Sequence, residues 1–132
     1  MSQSSSLLAF AALALGSPAA AGETEFAVRS ADQTVIHGVG STPDGTWNGT
    51  AVIMVAGTGL FDRDVHLGRS GTPRDRLFRD LADRFLARGL GVVRYDRRGV
   101  RYGASNAERL DKEVAGSSTT ETQRDDLAAV RA

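Results

Sequence analysis

Two short apolar runs, TAVIMVA at 50 to 56 and LGVVRYD at 90 to 96, flank a stretch with helical periodicity, and this succession narrows the fold more than any other feature. Each run is too short and too uniformly apolar for a surface helix, so each reads as a strand covered on both faces, with TAVIMVA the better core strand. Between them Leu77, Phe78, Leu81, Ala82, Phe85 and Leu86 recur at helical spacing. Thr72-Pro73-Arg74-Asp75 supplies an N-cap, a proline at the first helical position and an early carboxylate. Asp75 with Arg79 and Asp80 with Arg84 stand at i,i+4, and Gly89 suits the C-cap. A strand, helix and strand of this size predict a right-handed parallel crossover and an α/β architecture.

The flanking segments extend this unit. EFAVRS (25 to 30) and TVIHGVG (34 to 40), separated by Ala31-Asp32-Gln33, predict an antiparallel hairpin closed by the turn-rich STPDGTWNG at 41 to 49. After the second apolar run, RRGVRYGASNAERLDKEVAGSS reads as a loop leading to Thr120-Glu121-Thr122-Gln123, a capping box that opens a helix through Leu127 and Val130. The apolar stripe of that helix has no following strand to pack on, so the sheet is expected to expose one face.

Composition removes several partners. Sixteen basic and sixteen acidic residues leave no net field to draw nucleic acid or an anionic membrane. With no cysteine there is no disulfide, thiolate metal site or thiol nucleophile. The first 22 residues differ from the rest: MSQSSS, an apolar run from Leu7 to Leu15, then GSPAAAG. That is the layout of a secretory signal peptide, although its leading segment lacks Lys and Arg. The run falls short of the roughly 20 apolar residues of a spanning helix, so no stable membrane anchor is expected. Residues 1–22 are therefore read as a leader and 23–132 as one domain, secreted or periplasmic.

In an open α/β sheet, ligands bind beyond the carboxyl ends of the strands. The stretch VIMVAGTGLFDRD, 52 to 64, runs off such an end into Gly57-Thr58-Gly59, where glycine lets the main chain approach a substrate oxygen and aim an amide at a developing oxyanion. With Gly57, Gly59, Asp62, Arg63 and Asp64, followed by FRDLADRFLARGLGVVRYDRRGV and TTETQRDDLAAVRA, the chain from 25 to 132 resembles the α/β-hydrolases. The likeness is to bacterial members carrying a G-S-G-x-x-D-R-D loop after the third strand. The resemblance implies the N-terminal part of a serine-type hydrolase acting on a small ester, thioester or amide without a cofactor. It implies a backbone oxyanion donor at Thr58, substrate contacts at Gly57, Gly59 and Leu60, and structural roles near the site for Asp62, Asp64, Asp96, Arg98 and Gly99. Ala56 departs from the histidine often found before this loop. The family's G-x-S-x-G serine follows the helix that begins near Thr120, and its acid and base come later still, so the isolated chain is expected to be inactive.

Other readings compete at particular residues. Gly103-Ala104-Ser105-Asn106-Ala107 approaches the elbow pattern, but Ser105 follows Arg101-Tyr102 in a polar loop rather than a buried strand, and Gly68-Arg69-Ser70-Gly71 fails by spacing. His37 reads as a strand histidine and His66 as a solvated loop residue. Asp62 and Asp64 read as an ion-paired brace rather than a metal site. A dinucleotide-binding βαβ unit shares the strand, glycine turn, helix and terminal Asp96, yet lacks the third glycine and places the helix far from the turn. A non-catalytic, truncated α/β fragment is the remaining alternative.

Overall fold

The computed structural model describes residues 22–57, 60–65, 76–100, 102 and 112–132. In chain order they form β1 (Glu23–Arg29), β2 (Val35–Ser41), β3 (Ala51–Met54), α1 (Leu77–Leu86), β4 (Gly91–Tyr95), α2 (Lys112–Gly116) and α3 (Thr120–Arg131). The four strands make one mixed sheet in the order β1-β2-β4-β3, a small α/β-type arrangement. β1 and β2 are the expected antiparallel hairpin, β2 runs antiparallel to β4, and β3 lies parallel to β4.

Alternation along β4 sorts the core into two layers, because successive side chains of a strand point to opposite faces. On one face Met54 and Val92 pack with Ala82 and with Phe78, Leu81, Phe85 and Leu86 of α1. On the other, Phe26, Ile36, Val93 and Tyr95 receive Leu127 and Val130 of α3. This corrects the expectation of an uncovered sheet face: the stripe of α3 packs on the first hairpin and β4. It also corrects the choice of core strand. All five residues of β4 are buried, whereas Ala51 of β3 is exposed and Val52 and Ile53 are half-buried, since β3 lies at the sheet's edge.

Local signals placed the helix ends only in part. α1 has Arg76 as N-cap and no side-chain cap bond; the expected Thr72–Asp75 cap lies outside the described residues. The Leu77 and Phe78 amides donate instead to the carbonyls of Val65 (3.4 Å) and Asp64 (3.0 Å). The capping box of α3 sits one residue earlier than expected, with Thr119 and Thr122 exchanging side-chain and backbone bonds. α2 is a short helix inside the stretch read as a loop. Among the described residues no helix is long and apolar enough to cross a membrane.

One close approach fixes the hairpin against β4. Gly38 stands opposite Phe26 on one side and Tyr95 on the other. A Cβ there would collide with the Phe26 ring and lie 2.6 Å from the Arg94 carbonyl oxygen, which is backbone and cannot swing aside. Gly38→Ala should therefore cost about 1–3 kcal/mol through overpacking, read as a lower urea midpoint at unchanged slope.

Candidate functional site

Because β3 and β4 are parallel, their carboxyl ends open on the same end of the sheet. The chain leaves β3 at Val55 and passes through Gly57, where a built Cβ meets no described atom within 4 Å. Gly57 does not take a positive φ, so the latitude of glycine shows there only as open space. Thr58 and Gly59 lie outside the described residues, as do His66, Gly68–Gly71 and Ser105. Leu60 is exposed. Beyond it the loop is tied to the end of β4: the Phe61 carbonyl accepts from the Arg97 amide at 3.1 Å, and the Arg63 amide donates to Asp96 Oδ1 at 2.7 Å.

Side chains reinforce the same seam. Arg63 meets Asp96 through Nε (3.3 Å to each oxygen) and a terminal nitrogen (2.8 Å), and both residues are buried. Its other terminal nitrogen donates to Glu25 at 3.3 Å, and its guanidinium lies over the Tyr102 ring at 4.3 Å. Asp64, fully buried, accepts from Arg94 and from the Tyr102 hydroxyl at 2.9 Å. Arg94 also reaches Glu23 at 3.0 Å, where Arg79 joins it at 2.7 Å. Asp62 holds the turn itself: its carboxylate accepts from the Asp64 amide at 3.2 Å and its carbonyl from the Val65 amide at 3.1 Å. Val65 is driven to φ 52°, a conformation that costs a β-branched residue about 1–3 kcal/mol.

A second clamp forms at the turn after β4. Gly99, at φ 75°, lets the Val100 amide close on the Arg97 carbonyl at 3.0 Å, which turns Arg98 inward. Arg98 grips Asp126 of α3 through two nitrogens, at 3.0 and 2.5 Å, and reaches Asp32 at 2.6 Å and Ser117 at 3.2 Å. One guanidinium thus joins the hairpin turn, the segment after α2 and α3.

Protonation follows burial and partner. Burial pushes the Asp96 carboxyl up, and the bonds and charge of Arg63 offset only part of that rise. Burial draws the Arg63 guanidinium down, but the Asp96 bonds and charge, with the charges of Glu25 and Tyr102, together leave the group raised. The Tyr102 phenol is pushed up to about 12, chiefly by burial and then by the Asp64 carboxylate. Asp32 is lowered to about 2, first by its bond from Arg98 and then by the Thr34 amide. Arg63, Asp96, Asp64 and Tyr102 are engaged with one another, and what they can do chemically is hold the Phe61-to-Val65 segment against the end of β4.

Sequence reading placed Asp64 in an ion-paired brace, and Asp64 pairs with Arg94. Asp62 acts as a turn acceptor, and Arg63 turns away from both neighbours to Asp96 and Glu25. Asp96, Arg98 and Gly99 stand in the turn that leaves β4 at this end of the sheet. Glu23, Arg79, Arg94 and Tyr102 were missed. The available signal was Arg94, a charge inside VVRY, which a buried strand accommodates only with a partner. His37 is an exposed residue of β2 whose carbonyl accepts from the Asp96 amide at 2.8 Å. Among the described residues no three His, Asp or Glu side chains are grouped to hold a metal ion. No family model, curated protein or solved structure matches this chain.

Two outcomes follow from the clamps. Asp96→Asn leaves the buried guanidinium of Arg63 with only the exposed Glu25 as countercharge and should cost about 3 kcal/mol in chemical denaturation, whereas replacing Arg63 and Asp96 together by Met and Leu should recover most of that loss. The folded-state value of Asp32 is lowered from 3.8 to about 2, so its contribution is complete above about pH 4 and lost as pH falls toward 2. Thermal melts should show wild-type stability falling through that window and a flatter profile for Asp32→Asn.

Proposed function

We propose that this chain is the N-terminal portion of a secreted serine-type α/β-hydrolase that cleaves a small ester, thioester or amide by acyl transfer through a tetrahedral intermediate. The observation that carries the reading is the packing of α1 and α3 on opposite faces of the sheet. With right-handed crossovers, the α1 connection steps from β3 to β4, and a connection through α3 on the other face must step back the opposite way. A parallel strand entered from α3 would then land on the free edge of β3. That makes the carboxyl end of β3 the point where strand order reverses, the place where open α/β sheets bind ligands. Gly57 and the loop braced by Asp96 stand there.

In this reading the Thr58 amide is an oxyanion donor, Gly57, Gly59 and Leu60 face the substrate, and Asp62, Asp64, Asp96, Arg98 and Gly99 hold the loop. The nucleophile would sit on the strand beside β3. A dinucleotide module has less support, because the first two amides of α1, which would receive a phosphate, are occupied by the Val65 and Asp64 carbonyls.

Residues 1–132 alone should not turn over p-nitrophenyl acetate above the buffer rate. The coding sequence after Ala132 should specify a short apolar strand ending in G-x-S-x-G. In the enzyme from that complete reading frame, Thr58→Pro, which removes the amide, should lower kcat about 10²–10³-fold, while Thr58→Ala should retain activity. Turnover by residues 1–132 that vanishes in Ser105→Ala, or absence of the downstream elbow, would refute the assignment.

A further inference from the structure

Ser41 ends β2 with a hydroxyl that the protein leaves unused. The residue is 4% exposed, yet its Oγ has no hydrogen-bond partner among the described residues. A buried polar group in that state carries its full desolvation cost until something bonds to it. The ladder fixes where the side chain points. Ser41 stands opposite Glu23 on one side and Val92 on the other, and directly opposed residues share a face of the sheet. Val92 packs on α1 and Glu23 bonds to Arg79 of α1, so the Ser41 hydroxyl lies on the α1 face.

A cavity of about 510 Å³ opens on that face, between the start of β1, the turn after β2 and the last turn of α1, and Ser41 forms part of its wall. Small-molecule pockets fall in the range of roughly 300–1,000 Å³. The charged residues lining this one are Glu23, Asp44, Arg79 and Asp83. Glu23 is engaged, since Arg79 donates to it at 2.7 Å and Arg94 at 3.0 Å. Asp44 has no ion pair among the described residues, and Asp83 meets Arg79 only at 3.7 Å. The last turn of α1, at Leu86, adds the negative end of the helix dipole. A cation is therefore drawn in and an anion repelled. A compact metal ion does not suit the arrangement, because among the described residues no three His, Asp or Glu side chains converge on one point. Acceptors set apart in this way suit an occupant whose positive charges are spaced along a chain.

We infer that this cavity binds a linear aliphatic polyamine, with one ammonium donating to the Ser41 hydroxyl at the floor and the others meeting Asp44 and Asp83 at the rim, while Leu86 covers the intervening methylenes. The hydroxyl gains the partner that the chain does not supply, and each rim carboxylate gains a countercharge. The cavity lies toward the start of β4, away from the loop braced by Asp96, so the inference does not rest on the hydrolase reading.

The test is a titration of residues 1–132 with spermidine at pH 7 and low salt, followed by amide chemical shifts in NMR. Saturable binding is expected, with shifts centred on residues 41–46 and 83–89; it should be weaker for 1,3-diaminopropane, weaker again for propylamine, and screened by added sodium chloride. The whole chain is formally neutral, so a general field would not produce that localisation. Ser41→Ala removes the floor acceptor without breaking a hydrogen bond among the described residues, and should weaken spermidine about tenfold at unchanged Tm. Asp44→Asn, on an exposed turn, should weaken it about three- to fivefold. Absence of saturation, shifts centred elsewhere, propylamine or magnesium chloride binding as tightly as spermidine, or unchanged affinity in either variant would overturn the inference.

Discussion

The pairing of Arg63 with Asp96 governs the carboxyl end of the sheet, because it removes two charges from water to join loops that follow different strands. Burial on this scale costs several kcal/mol per ion before attraction returns any of it. Burial pushes Asp96 up while the pairing leaves Arg63 raised, so the guanidinium stays charged and the carboxylate carries the burden of desolvation. Arg94 carries a similar burden, since its Nε is buried without a partner among the described residues. A network built to maximise stability would be apolar here. What the ions supply is register, for sliding the loop along β4 would leave a bare charge in the interior.

The rest of the fold makes that register possible. Residues on the α1 face of β4 change from apolar to charged along the strand, Val92 packing on the helix and Arg94 meeting Asp64 and Glu23. The hairpin contributes Glu23 and Glu25 because the pairings of β2 set Glu23 level with Val92 and Glu25 level with Arg94, on the face of the sheet that Arg94 shares with Asp64. Strain at Val65 is tolerated in the same setting. Its amide and carbonyl are both used, one closing the Asp62 turn and the other accepting from the first residue of α1.

How much of this was legible in the sequence depends on the range of each interaction. The hairpin, the crossover and the last helix were readable because periodicity and turn residues act within a few positions, and their observed ends shift by only a residue or two from those expected, except at the start of α1. The burial ranking of β3 and β4 was not readable. TAVIMVA is the more apolar run, yet LGVVRYD is the more buried strand, and that reversal arises from strand order, which sequence periodicity does not encode. The partners of Arg63 and Arg94 escaped for the same reason: Asp96 lies 33 residues from Arg63, and Glu23 lies 71 residues from Arg94. Local reading therefore gave the brace without its partners, and the partner of Asp64 comes from another strand.

The two clamps also act on different elements, and this bears on what a site here would need. Arg63 and Asp96 set the loop after β3 against the end of β4, while Arg98 ties that same end to α3 through Asp126. In the proposed hydrolase, a strand entered from α3 would have its starting direction referred to the turn that braces the Phe61-to-Val65 segment. An amide on that loop and a side chain on the incoming strand would be positioned from one rigid turn, Asp96 to Gly99, instead of from two independent loops. Acyl transfer makes such a demand, because an oxyanion donor is useful only when it is held in place relative to the attacking atom before charge develops. The cost of burying the four ionic side chains of the two clamps, Arg63, Asp96, Arg98 and Asp126, is consistent with a role in geometry, since hydrophobic packing of the same volume would serve stability as well.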